Sequence, residues 1–120
     1  MRKNSEPPAR KSPSRPGIYI LLALAGGARH GYAIKQEVEE RTGGLIRLGP
    51  GTLYETIQRL EEAGLIEEAV PAEPANGQEA QRRFYELTDR GWSSLREEIR
   101  QLGQLVDYAR ANPRLRKGLA

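Results

Sequence analysis

Side chains that can bond phosphates and base edges recur over residues 52–59, at spacings that place them along one side of a helix. Thr52 and Tyr54 carry hydroxyls, Gln58 carries an amide, and Arg59 carries a guanidinium. Hydroxyls and guanidiniums bind phosphate oxygens, whereas an amide can pair with adenine and a guanidinium with guanine. The pattern predicts contact with a nucleic-acid duplex, and a plain solvated helix face is the alternative.

The acidic residues on this segment favour one interpretation, and the basic residues near it favour the other. Glu55, Glu61 and Glu62 favour the solvated face, because phosphate repels a carboxylate unless it accepts from a cytosine amino group. Arg82 and Arg83 favour nucleic acid, because they enter a strand beside which a backbone phosphate could lie. The candidate DNA-binding residues are Thr52, Tyr54, Glu55, Gln58, Arg59, Lys35, Arg82 and Arg83.

No other group of side chains indicates catalysis or a bound cofactor. His30 is the only histidine, and no acid or nucleophile is spaced to work with it, so we expect a structural role in a turn. The chain has no cysteine, which excludes thiolate metal sites and disulfides. The glycines at residues 43–44 and 49–51 lack the lysine and following hydroxyl of a P-loop. We therefore predict no enzyme, no metal and no cofactor.

The polar side chains need a helix that turns its other side to the core. Leu53, Ile57 and Leu60 recur at intervals of four and three residues. At about 100° per residue they lie within about 40° of one direction. They must face the core, so the polar set faces away from it, and Gly64 stops the helix.

The segments after this helix are typical of a β-hairpin. Leu65, Ile66 and Val70 predict one strand, and Arg82 to Leu87 predict the return strand. Between them, Pro71 to Gln81 contains turn residues and is expected to be a loop. A helix followed by a hairpin that carries positive charge is the layout of a winged helix, in which the helix enters the major groove and the hairpin lies against the backbone.

Two further helices are expected before the polar one. The apolar run over residues 16–24 predicts a buried helix, with a proline in its first turn. Residues 32–41 predict the next helix, which ends at the glycines of residues 43–44. We expect a tight turn at residues 30–31. Residues 45–48 are expected to be an extended link that could pair as a small third strand.

A long amphipathic helix is expected at the C-terminal side. Thr88 is a good N-cap, Asp89 follows in the first turn, and Asn112-Pro113 ends the helix. Apolar residues then follow a heptad pattern with spacings of 3, 4, 3, 4 and 3. These candidate dimerisation residues are Trp92, Leu95, Ile99, Leu102, Val106 and Ala109. Such a narrow seam favours pairing with a second copy, and the alternative is that it only covers the core of its own chain.

Trp92 could also line a pocket for a flat apolar effector.

Charge is distributed unevenly along the chain. Residues 1–17 hold five Lys/Arg against Glu6, residues 55–80 hold Arg59 against seven glutamates, and residues 81–120 hold nine Lys/Arg against five acids. The chain is therefore basic at both ends and acidic in the middle. A basic arm and a basic wing suit a polyanion, although such runs can also serve only solubility.

The predicted organisation has four parts. We expect a disordered basic arm over 1–15, a winged helix-turn-helix over 16–87, a dimerisation helix over 88–112 and a basic tail over 113–120. The fold class is mainly α with a small β-wing. The N-terminus is polar and no apolar run approaches a membrane span, so we expect a cytoplasmic protein with no membrane partner.

Four motifs in this order resemble the PadR family of bacterial transcriptional regulators. They are His30-Gly31-Tyr32, Gly51-Thr52-Leu53-Tyr54, Leu60 to Ile66 and Arg83 to Gly91. The resemblance covers roughly residues 16–110 and fits the shorter subfamily with a single C-terminal helix. It implies a winged helix-turn-helix dimer, usually a repressor, whose last helix dimerises. Some members of the family respond to phenolic acids or to flat hydrophobic drugs.

The resemblance also assigns roles to residues. Tyr54 matches the family's tyrosine in the recognition helix, and Thr52 matches the small polar residue before it. Arg82 and Arg83 match the basic strand of the wing. Glu55 stands where the family usually has proline.

The function predicted from the sequence is therefore a dimeric regulator, more a repressor than an activator, that reads double-stranded DNA through its third helix and wing. A small hydrophobic or phenolic effector would release it. The alternative is a dimeric protein-interaction module of the same fold that does not read DNA specifically.

Overall fold

In the computed structural model, residues 12–70 and 82–119 are described, and they form five helices and three strands. In chain order these are α1 (Arg15–Leu24), β1 (Arg29–His30), α2 (Gly31–Arg41), α3 (Pro50–Glu62), β2 (Ile66–Ala69), β3 (Phe84–Leu87), α4 (Asp89–Arg110) and α5 (Pro113–Arg116). The predicted class, mainly α with a small β-wing, is confirmed. Most of the arm expected over residues 1–15 lies outside the described residues, and so does the loop expected over Pro71 to Gln81.

The first helix lies at the centre of the core. Ser14 caps it by accepting a hydrogen bond from the Gly17 N–H at 3.2 Å. Pro16 sits in the first turn, where the missing N–H costs no helical hydrogen bond. Ile20 and Leu21 are fully buried, and both α2 and α3 pack against the helix. The buried helix expected from this apolar run is confirmed.

The three strands form an antiparallel sheet in the order β1-β3-β2. Ile66 of β2 lies opposite Leu87 of β3, and His30 of β1 lies opposite Phe84. The return strand begins at Phe84, two residues later than predicted, so Arg82 and the residue after it precede β3.

The third strand is not where the sequence analysis suggested. It is formed by Arg29–His30, whereas Leu45 to Leu48 form no strand. The link instead stays close to the end of α2, because the Ile46 N–H donates to the Thr42 hydroxyl at 3.0 Å. Leu48 is buried with the core residues.

The turn expected at His30-Gly31 is also wrong. His30 ends β1 and then caps α2, because its Nδ1 accepts from the Ala33 N–H at 3.1 Å. A structural role for His30 is therefore confirmed, but as a strand end and helix cap.

The third helix turns its apolar side to the core, as predicted. Leu53 and Ile57 are 2% exposed and Leu60 is 4% exposed. Each such side chain contributes about 1.5–3 kcal/mol through burial. That burial fixes the rotation of α3, so the opposite side of the helix must face outward.

One hydrogen-bonded junction joins α3, β2 and α4. The Leu65 N–H donates to the Leu60 carbonyl at 3.0 Å and ends α3 in the usual glycine-closed turn. The Thr88 hydroxyl donates to the Gly64 carbonyl at 2.6 Å and accepts from the Gly91 N–H at 3.0 Å. The predicted N-cap at Thr88 is confirmed, and the same hydroxyl ties α4 to the end of α3.

The long helix α4 is buried only at its beginning. Leu95 is 5% exposed and belongs to the core of its own chain, so we correct its assignment as a dimerisation residue. Leu102 also packs partly against that core. Beyond it the helix runs in solvent to Arg110.

The tail contains one element that was not predicted. Asn112 ends α4 as expected, but its side chain also accepts from the Arg114 N–H at 2.9 Å and starts the short helix α5. Among residues 12–70 and 82–119, no helix is both long and apolar enough to cross a membrane.

Candidate nucleic-acid interface

The outward side of α3 carries the polar set that the sequence predicts for it. Thr52, Glu55, Gln58 and Arg59 are exposed, and Tyr54 is half exposed at 54%. Thr52, Glu55, Gln58 and Arg59 point away from the buried leucines and isoleucine, and Tyr54 lies on a flank of the helix, against Gly31. The orientation of the candidate reading helix is therefore confirmed.

Most polar groups on this face are paired with neighbours on the same helix. Arg59 lies 3.6 Å from the Glu55 carboxylate, and both side chains are about two-thirds exposed. The Gln58 amide donates to Glu62 at 3.4 Å. Exposed pairs of this kind contribute only about 0–1 kcal/mol, so a DNA phosphate or base can replace them at little cost.

Lys35 on α2 is more firmly engaged than the other candidates. Its ammonium lies 2.8 Å from the Glu39 carboxylate, one helical turn away. That hydrogen bond lowers the pKa of Glu39, so this carboxylate stays ionised at neutral pH. Any contact of Lys35 with DNA would have to share the ammonium with Glu39.

The two wing arginines have different surroundings. Arg83 lies 3.2 Å from Glu68 on the neighbouring strand. It also approaches the Tyr85 phenol, whose pKa is raised mainly by burial. The guanidinium of Arg82 instead lies over the ring of Tyr32, 5.7 Å from its centroid. No carboxylate of the described residues lies within ion-pair distance of Arg82.

A surface depression of about 520 Å³ brings these groups together. Tyr54 from α3, Arg82 from the wing and Tyr32 from α2 line it, and none of the described lining residues is acidic. Sequence reasoning identified Tyr54 and Arg82 but not Tyr32 or His30 as part of this site. The only signal for those two in the sequence is the His-Gly-Tyr motif, in which a turn is expected at residues 30–31 and a helix from Tyr32.

Residues 20–97 match the sequence profile of the Transcriptional regulator PadR-like family. The chain belongs to the PadR-like family. Membership of a family of transcriptional regulators confirms the prediction that the chain is not an enzyme.

Relatives of the PadR-like chain include one named regulator. This chain is 36% identical over 91 residues to the transcriptional regulator Rv3488 of Mycobacterium tuberculosis. The match covers 74% of this chain and 77% of that protein. The chain is 38% identical over 88 residues to an uncharacterized 37.1 kDa protein of transposon TN4556 in Streptomyces fradiae. That match covers 73% of this chain but only 23% of the Streptomyces protein.

Solved structures show the same fold. A PadR-like transcriptional regulator from Bacillus cereus superposes with a TM-score of 0.65 at 20% identity, covering 79% of this chain and 87% of that one. Bacillus subtilis PadR, solved in complex with operator DNA, superposes with a TM-score of 0.57 at 23% identity. The superposition covers 69% of this chain and 45% of that one.

Two of the PadR-like motifs meet in the structure. The ring of Tyr54 lies directly on Gly31, and a Cβ atom added there would come within 2.8 Å of the phenol oxygen. Glycine at position 31 therefore lets the tyrosine of the reading helix lie flat against the start of α2. This contact joins the start of α2 to the N-terminal part of α3.

Proposed function

We propose that this PadR-like chain is a sequence-specific DNA-binding repressor that acts in the cytoplasm as a homodimer. The observation that carries the proposal is the division of α3, whose apolar side fills the core while its hydroxyl, amide and guanidinium groups face outward beside the wing. The Bacillus subtilis relative solved with operator DNA supports the same use of the fold. The third helix would enter the major groove, and the wing and basic arm would contact phosphates.

A titration against DNA tests the proposal. Fluorescence anisotropy with the chain's own promoter region, at several salt concentrations, should show tight binding that weakens steeply as salt rises. Random DNA of the same length serves as the control and should bind far more weakly. Equal affinity for promoter fragments and random DNA would contradict specific regulation.

The exposed face of α4 supports the homodimer. Ile99 is 42% exposed and Val106 40%, although both are large and apolar and lie on the same side of the helix. A second copy of this helix would cover them and add burial to a small domain. A two-fold dimer would then place two reading helices about one DNA turn, ~34 Å, or a multiple of it apart.

Val106→Glu is expected to shift the chain from dimer to monomer by at least about tenfold in dissociation constant, because a dimer would bury an unpaired charge. Sedimentation equilibrium measures the shift. Gln104→Glu is the matched control, since it adds the same charge about 160° around the helix. If both variants associate like the parent chain, the seam on α4 is not the interface.

Trp92 is the proposed effector contact. It lies on α4 with 38% of its surface exposed, so a flat aromatic ligand could stack on the indole. It is also the only tryptophan, so its fluorescence reports on its own surroundings. Saturable quenching by a hydroxycinnamic acid or a flat hydrophobic dye, together with weaker DNA binding, would support this assignment. Quenching without an effect on DNA binding would contradict it.

Glu55→Gln is expected to strengthen DNA binding by about two- to fivefold. The change removes a negative charge from the outward face of α3 and releases Arg59 from an exposed ion pair worth up to about 1 kcal/mol. Anisotropy at low and moderate salt measures the gain, which should shrink as salt rises. Weaker binding of the variant would instead indicate that Glu55 accepts a hydrogen bond from a cytosine.

A further inference from the structure

The His-Gly-Tyr motif, the reading helix and the wing converge on one basic depression. The depression is lined by three separate segments, which contribute His30, Gly31 and Tyr32, then Tyr54, then Arg82, Arg83 and Tyr85. We propose that His30, Tyr32, Tyr54 and Arg82 form a clamp for one backbone phosphate of DNA, in which the Tyr32 ring positions Arg82. The inference rests on the proposed DNA-binding function and assigns one contact within it.

The charge that would bind the phosphate belongs to Arg82. Its guanidinium is not neutralised by a described carboxylate, whereas Arg83 is held by Glu68 at 3.2 Å. The Glu68 carboxylate offsets the positive charge of Arg83 and would itself repel a phosphate, whereas no described carboxylate does so beside Arg82. The two neighbouring arginines should therefore contribute unequally to DNA binding, with the larger share from Arg82.

The Tyr32 ring holds the Arg82 side chain in place before any ligand arrives. The Tyr32 ring lies beneath the guanidinium carbon at 5.7 Å from the centroid, within the range of a cation–π contact. The His30 ring borders the guanidinium on another side, with 3.3 Å between Nε2 and Nη1. An arginine that is already oriented loses less side-chain entropy when it binds.

The histidine ring is itself fixed. Its Nδ1 accepts from the Ala33 N–H at 3.1 Å, and its ring meets the Phe84 ring edge-on at 5.1 Å. Because Nδ1 accepts, a neutral ring carries its hydrogen on Nε2, beside the guanidinium. The fixed ring therefore borders the Arg82 guanidinium at a set position.

The phenol of Tyr54 completes the clamp from the side of the reading helix. Its oxygen lies over Gly31 on the wall of the same depression, so a phosphate bound to Arg82 would lie next to a hydroxyl donor. This placement would set the register of α3 along the groove, because phosphate contacts orient a protein on the duplex.

The test compares Arg82→Gln with Arg83→Gln, which remove the same charge at adjacent exposed positions. Binding of a duplex is measured by anisotropy over a range of salt concentrations, and the slope of log K against log salt counts phosphates neutralised. Arg82→Gln should lower the magnitude of the slope by about one per protomer, and Arg83→Gln should change it by much less. Equal slopes, or a larger change for Arg83→Gln, would overturn the clamp.

The positioning role of Tyr32 has its own readout. Tyr32→Ala should weaken DNA binding several-fold. Tyr32→Phe should bind DNA like the parent chain, because the aromatic ring is kept. In the Arg82→Gln chain, adding Tyr32→Ala should weaken binding no further. Since Tyr32 is half exposed, thermal melts should show the variants folded. If Tyr32→Ala adds its full effect to Arg82→Gln, Tyr32 does not act through the arginine. If the unmodified chain binds no duplex at all, the proposed function fails and the clamp fails with it.

Discussion

Replacing Arg82 and Arg83 together by glutamate is expected to abolish DNA binding, by on the order of a hundredfold or more at about 0.15 M salt. In the proposed complex, each chain would then present two negative charges where two positive charges would face the phosphates. Both residues are exposed and precede β3, so the core and the N-cap at Thr88 are untouched. Anisotropy measures the affinity, and sedimentation and thermal melts check that the dimer and the fold persist.

A matched control separates local contact from net charge. Arg114→Glu with Arg116→Glu makes the same change of charge in the exposed helix α5, away from the wing. This pair should weaken binding only a few-fold. If both pairs weaken it equally, binding is a general attraction to a polyanion. If the wing pair has no effect at all, the protein-interaction module becomes the better interpretation.

The orientation of α3 was predictable because its buried side is determined by residues that are close together in the sequence. Three apolar residues at helical spacing must be buried, and they leave only one direction for Thr52 and Arg59. The cap at Thr88 was predictable for the same reason, since a hydroxyl before an acidic first turn satisfies backbone donors of its own helix. Such features depend on residues within a few positions of each other.

The clamp could not be predicted because its members are distant in sequence. Arg82 meets Tyr32 only because β3 pairs with β1, and β1 is a strand of two residues with no pattern of its own. The difference between Arg82 and Arg83 likewise follows from strand register, which places Glu68 beside the second arginine but not the first. Type and spacing alone make the two arginines equivalent.

The heptad on α4 shows a further limit of prediction from the sequence. Its spacing predicts a seam but not what covers the seam at each position. The first turns of α4 lie against the domain, so Leu95 is buried in its own core, whereas Ile99 and Val106 lie beyond the edge of that core. Only the packing of the rest of the chain determines where one role ends and the other begins.

Gly91→Ala is expected to destabilise the fold strongly, whereas Gly103→Ala on the same helix is not. The first turn of this helix lies so close to β2 that a Cβ atom at Gly91 would overlap the Leu65 carbonyl oxygen. That carbonyl cannot move away easily, because it accepts from the Thr88 N–H at 3.1 Å and lies in the short link between α3 and β2. Overpacking against a fixed backbone costs about 3 kcal/mol.

In a chain of this size such a loss should lower the melting temperature by about 10–20 °C. Circular dichroism at fixed protein concentration measures it, since the proposed dimer would make the melting temperature depend on concentration. Gly103→Ala on the same helix is the control, because a Cβ there meets nothing within 4 Å. Alanine has the better helix propensity by about 1 kcal/mol, so this variant should melt a few degrees higher. A Gly91→Ala chain that melts like the Gly103→Ala chain would mean that α4 does not approach β2 this closely. The Thr88 junction would then not hold the wing against α4.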